Sequence, residues 1–157
     1  MRKIFFALLT SLLIFNLTGC AIKTMPTKPI IKVITVEKAQ QDKLYVKASN
    51  WMVESFNNSK SIIQFRDKDS GTITGRYLLG VVSEANQYAP ARYAYAIINI
   101  KVKVKDGATK ITIKPEAFRY AEGNPYTLYT QEKAESDIEA LMTSFKNYMQ
   151  TKIDDKW

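Results

Sequence analysis

The 157-residue chain has no histidine and a single cysteine, Cys20. Without imidazole there is no Ser-His-Asp or Cys-His catalysis and no imidazole metal site. A lone thiol closes no disulfide within the chain, so buried apolar surface has to hold the fold. There is no internal repeat and no low-complexity stretch. The one long apolar run, residues 4–17, has 14 residues, whereas a helix crossing a bilayer needs roughly 20. Paired carboxylates remain as a hydrolytic chemistry, but the acids are scattered, and Asp67, Asp69 and Glu84 fall in turns and loops. No enzyme is expected.

Arg2 and Lys3 precede the apolar run, and Leu17-Thr18-Gly19-Cys20 follows it. A charged start, a short apolar core and small residues at the break describe a secretory signal. The last four residues resemble the lipobox of bacterial lipoproteins. That resemblance implies cleavage between Gly19 and Cys20, with diacylglycerol and fatty acid carried on Cys20. It leaves no free thiol as nucleophile and implies no cofactor beyond the covalent lipid. Two or three acyl chains hold a protein on its membrane, at about 0.8 kcal/mol per buried methylene. In enterobacterial lipoproteins an aspartate after the cysteine is the usual inner-membrane signal. Here Ala21 follows, so the resemblance implies the outer membrane, with the domain facing the periplasm.

Removing residues 1–19 leaves 138 residues with 21 Lys and Arg against 15 Asp and Glu, a net charge of +6. That length suits one domain. Export takes the chain away from cytosolic nucleic acid. Its charge therefore points to anionic lipid headgroups, lipopolysaccharide phosphates or an acidic envelope protein as partner.

Residues 20–29 read as the lipidated cysteine and a tether, because 21–28 have no hydrophobic period and Pro26 and Pro29 interrupt them. Residues 30–157 read as a single domain. Residues 30–36 are β-branched and predict a strand. Over 38–56, Leu44, Ala48, Trp51, Met52 and Phe56 repeat as one helical stripe, which assigns Trp51 to the core rather than to ligand stacking. Strands are predicted at 61–66, 72–79, 92–105 and 108–114, with turns at 67–71 and at Asp106-Gly107. Residues 83–90 and 120–129 read as loops, and Tyr126-Thr127-Leu128-Tyr129 is expected to pack over the core edge. A second stripe, Ala134, Ile138, Leu141, Phe145 and Met149, predicts a helix over 131–153. The order β-α-β-β-β-β-α predicts an α+β domain of two layers: an antiparallel sheet of about five strands with both helices on one face.

The stretch Leu44-Tyr45-x-Lys47-Ala48-x-x-Trp51-Met52, with Phe56, Ser59-Lys60-x-Ile62-Ile63-Gln64 and Asp67-Lys68-x-Ser70-Gly71-x-Ile73-x-Gly75, resembles the DUF4468 family. Lys103-Val104-Lys105-Asp106-Gly107 and Lys110-Ile111-Thr112-Ile113 are similar to its later hairpin and strand. The resemblance covers roughly residues 30–120. It implies a TBP-like fold and carries no activity; the fold name implies nothing about DNA, because function lives in sites.

With Asp106-Gly107 as a two-residue turn, Lys105 is expected opposite Ala108, Lys103 opposite Lys110, and Lys101 opposite Thr112. Alternation then places Ile98, Ile100, Val102, Val104, Ile111 and Ile113 under the helices. Tyr93, Tyr95, Ile97, Lys101, Lys103, Lys105, Lys110 and Lys114 take the other side. Arg66 and Arg76 join them or not according to register. Like charges facing each other across a ladder cost some tenths of a kcal/mol to about 1. Screening by solvent offsets that, or a neighbouring carboxylate or an anionic ligand does. The candidate binding face is accordingly Tyr93, Tyr95, Lys101, Lys103, Lys105 and Lys110. The expected function is a lipid-anchored interaction module. Its competitor is a domain that binds a small anionic or amphiphilic ligand, or a lipid, between sheet and helices. The terminal Trp157 is expected either docked or at a membrane interface.

Overall fold

Two strands of isoleucine-rich sequence form the centre of the fold. In the computed structural model, which describes residues 21–36, 39–56, 62–103 and 107–151, they are β5 (Arg92–Lys103) and β6 (Ala108–Pro115). β2 (Ile30–Thr35) pairs with the far side of β6. β4 (Thr72–Ser83) pairs with β5, and β3 (Ile63–Asp67) with β4. The result is one antiparallel five-stranded sheet in the order β2-β6-β5-β4-β3. Helices α1 (Gln41–Glu54) and α2 (Gln131–Gln150) complete the expected α+β layers.

The predicted stripes are the buried faces of both helices. Leu44, Ala48, Trp51 and Met52 of α1 are buried, as are Ala134, Ile138, Phe145 and Met149 of α2. All but Ala134 meet Ile73, Ile98, Ile100, Ile111 and Ile113 of the sheet in one core. Trp51 joins the helices: its ring stands edge-on to Phe145 with centroids 4.8 Å apart, and its indole N–H donates to Ser144 Oγ at 3.2 Å. Leu141 is only partly buried, and Met142 takes the inward position. Lys47 of α1 is buried and donates to the carbonyl of Thr151, the residue that follows α2. That burial pulls the ammonium below its ordinary pKa.

Two expectations are corrected here. The segment read as a tether begins the fold. β1 (Ile22–Thr24) pairs antiparallel with β7 (Arg119–Ala121), which lies in the stretch read partly as a loop. Met25 is buried beside Val82, Ala94, Phe118, Tyr120, Tyr129 and Ala134 in a second cluster at this end of the sheet. Three-residue strands are too short to show a period, so neither was visible locally. The β5–β6 register is also shifted by two residues from the expected one. Lys101 faces Lys110, Lys103 faces Ala108, and Asn99 faces Thr112. This register sets Ile98 against Ile113 and Ile100 against Ile111, all fully buried. A shift of two keeps every side chain on its predicted face.

Gly107 sits at φ 58, and its carbonyl accepts from Val36 N–H at 2.9 Å, which ties the hairpin end to β2. The expected turn at Asp67 is present: its carboxylate accepts from the N–H groups of Asp69 at 3.0 Å and Ser70 at 3.3 Å. Gly71 follows at φ 64. β4 continues to Ser83, past its expected end, through register shifts near Leu78/Gly80 and Val81/Ser83. α1 ends at Glu54, where Ser55 N–H returns to Trp51 O at 2.8 Å.

Candidate binding face

Both helices pack on one side of the sheet, and alternation sends the intervening residues to the other. Rows of side chains cross that open side. One row holds Thr72, Lys101, Lys110 and Val33, with Asp67 at its β3 end. The next holds Phe65, Thr74, Asn99, Thr112 and Ile31, and a third Arg76, Ile97 and Lys114. Leu78 then faces Tyr95, and Val81 faces Tyr93.

The face mixes apolar surface with positive charge. Ile31 is 54 % exposed, Val33 62 % and Phe65 53 %, with Leu78 and Tyr93 close behind. Singly such residues are ordinary; here Ile31 and Val33 lie on edge strand β2 and Phe65 on the opposite edge strand β3, with Thr112, Asn99 and Thr74 between them. Lys101, Lys110 and Lys114 are exposed and have no ion pair among the described residues. Lys101 and Lys110 stand directly opposite each other. The like-charge pair expected at Lys103 therefore exists one row away.

Arg76 does join this face, and the fold neutralises it. Its guanidinium grips Glu116 with two hydrogen bonds of 2.7 and 2.8 Å and lies 3.8 Å above the Tyr95 ring. The bidentate bond holds the Glu116 carboxyl below its ordinary range and raises Arg76. Tyr93 and Tyr95 form a tilted pair with centroids 6.4 Å apart. A cleft of about 290 Å³ opens beside Arg76, Leu78 and Tyr95, past the end of β3. Arg66, by contrast, stands opposite Ile73 in a helix-side row and does not contribute.

Of the six residues predicted for the site, Tyr93, Tyr95, Lys101 and Lys110 share this face. Lys103 is described by its backbone alone, opposite Ala108. Lys105 lies outside the described residues, as do Gly19, Cys20, Asn57-Asn58-Ser59 and Trp157. The sequence reading missed Ile31, Val33 and Phe65. β2 carried the signal, since a strand apolar at 30, 31, 33 and 34 has apolar residues on both faces. The Arg76–Glu116 pair, 40 residues apart in the chain, had no local signal.

The aromatic loop divides. Tyr129 is buried and donates to Asp137 at 2.7 Å, and both its burial and that bond push its phenol up. Tyr126 and Leu128 are exposed. Among the described residues there is no cluster of three or more acids or thiols that could hold a metal ion.

No curated protein matches the chain. Among solved structures it is similar to a TBP-like protein from Parabacteroides distasonis, with a TM-score of 0.54 at 11 % identity over 82 % of this chain and 98 % of that one. It is also similar to a DUF4468 family protein from Bacteroides ovatus, with a TM-score of 0.44 at 17 % identity over 82 % of this chain and 89 % of that one. The first likeness shows the fold. Residues 31–120, more than half the sequence, match the domain of unknown function DUF4468 with TBP-like fold. The chain belongs to that family.

Proposed function

We propose that this protein is a lipoprotein, anchored through Cys20 to the outer membrane and facing the periplasm, whose open sheet face docks a second envelope component. It acts by binding rather than by catalysis. One observation carries the reading: an open face on which exposed Ile31 and Val33 at the β2 edge and Phe65 at the β3 edge flank Lys101, Lys110 and Lys114, which have no ion pair among the described residues. That combination suits a partner with apolar ridges and negative charge, and an acidic protein surface provides both. Tethering raises local concentration, so low intrinsic affinity suffices. A ligand held between sheet and helices has less room, because Trp51, Met52, Met142 and Phe145 fill that layer without exposure.

The test is photocrosslinking in living cells from Asn99, at the centre of the face, with Glu139 on α2 as control. A discrete protein adduct from Asn99 alone is expected. A lipid or lipopolysaccharide adduct at Asn99 moves the assignment to ligand binding. No adduct at either position removes the face as a site.

A further inference from the structure

Covalent geometry leaves no slack between the proposed anchor and the fold. Ala21 is already part of the structure: its carbonyl accepts from Glu122 N–H at 2.9 Å, and Ile22 pairs with Ala121. Consecutive Cα atoms are about 3.8 Å apart, so a lipid on Cys20 sits one residue from a hydrogen-bonded strand. A domain held so closely cannot tumble freely above the bilayer. The end that carries Ala21 has to face it.

That end carries exposed apolar side chains. Ile22 is 65 % exposed, Tyr126 81 % and Tyr88 87 %. Tyr126 belongs to a turn closed on Ala121, the partner of Ile22. Asn124 N–H and the Thr127 hydroxyl both donate to the Ala121 carbonyl, and Tyr126 N–H donates to Asn124 Oδ1 at 2.8 Å. Tyr88 sits in a second turn, where Asn86 Oδ1 accepts from the N–H groups of Tyr88 and Ala89. Both turns line a surface cleft of about 640 Å³, to which Asn86 and Ala89 come from one and Tyr126 and Leu128 from the other. Tyrosine favours the boundary where its ring meets acyl chains and its hydroxyl meets water.

We infer that the end of the domain formed by Ile22 and the Tyr88 and Tyr126 turns lies against the lipid surface that holds Cys20. This rests on the anchored reading proposed above. Charge at this end is mixed, and Arg119 of β7, opposite Thr24, is exposed there. Lys23 is paired with Glu122 at 2.6 Å, and Arg92 shares the cleft with Glu84. The orientation also decides where the sheet face points. β5 starts at this end, and Lys101 lies nine residues along it from Arg92, roughly 30 Å at strand spacing. Lys101 and Lys110 therefore lie far from the anchoring membrane, whereas Lys114, opposite Ile97, lies five residues from Arg92, about 17 Å.

The full chain is produced in bacteria with its own signal and reconstituted in phosphatidylethanolamine/phosphatidylglycerol vesicles. Cys20 is the sole cysteine, so Tyr88→Cys, Tyr126→Cys and Lys110→Cys variants each give one nitroxide site. Intact mass reads the lipid on Cys20 and the number of labels. At positions 88 and 126, spin relaxation by oxygen is expected to exceed that by a water-soluble nickel chelate several-fold, and at 110 the order reverses. With the lipid present, nickel accessibility at 88 and 126 equal to that at 110 overturns the orientation and leaves the anchor intact. A second label on Cys20 in place of lipid overturns both, and the mass separates the two failures.

Discussion

Gly80→Ala should lower stability at a position where alanine is usually an improvement. Gly80 lies in β4 with no positive φ, so its backbone accepts a side chain. Reduced freedom of the unfolded chain alone would then stabilise by about 0.4–1 kcal/mol. A Cβ there would meet Tyr129 ring carbons at 2.5 and 2.6 Å. The ring cannot easily retreat: it is buried, its centroid is 5.9 Å from that of Phe118, and its hydroxyl is held by Asp137. Forcing extra volume into such a site costs about 1–3 kcal/mol, which leaves a net loss on the order of 1–2 kcal/mol. At about 2–4 °C per kcal/mol for a domain of this size, the melting temperature falls by roughly 2–8 °C. The assay is urea unfolding followed by fluorescence of the buried Trp51, repeated in a Tyr129→Ala background. With the ring removed, Gly80→Ala becomes neutral or stabilising by up to about 1 kcal/mol. Equal destabilisation in both backgrounds would refute the steric argument. It would also remove the contact that seats the Tyr126–Tyr129 segment on the sheet.

Three further outcomes are expected. The Tyr77 hydroxyl is buried without a hydrogen-bond partner among the described residues, and burial pushes its pKa up; Tyr77→Phe should therefore be neutral or stabilising by up to about 1–3 kcal/mol in the same titration. Glu116 is depressed in the fold, so its ion pair stabilises above the ordinary carboxylate pKa of 4.5 and is lost as pH falls through the lower folded value. Glu116→Gln should flatten that acid limb by less than about 1 kcal/mol, because both partners are over a third exposed. The same variant frees the Arg76 charge and should strengthen binding of an acidic partner. A steeper acid limb in Glu116→Gln would contradict the assigned pair.

Regular periodicity made most of the fold legible. Each helix repeats its apolar residues often enough to mark one face, and Trp51 could be assigned to the core from position alone. Alternation along β5 and β6 sorted Ile98, Ile100, Ile111 and Ile113 from Tyr93, Tyr95, Lys101 and Lys110, and this sorting survived the two-residue error in register because side chains alternate with a period of two. The hairpin fell short because Asp106-Gly107 is a strong local turn signal, while the observed register is shared with β2 through Gly107.

The sequence by itself determined what is written in local repeats: two amphipathic helices, the faces of the long strands, the turn at Asp67 and the absence of histidine chemistry. Tertiary structure alone decided what depends on distant segments meeting. β1 and β7 are three residues each and exist because residues 22–24 find residues 119–121 nearly a hundred positions later. Arg76 reads as one more exposed cation until the fold closes Glu116 and Tyr95 around it. The exposed apolar residues of the open face include Val33 and Ile31 from β2, Phe65 from β3 and Leu78 from β4, and only the pairing of all five strands brings them onto one side. Such contacts are set by the shared burial of many residues at once, which no window of neighbouring residues contains.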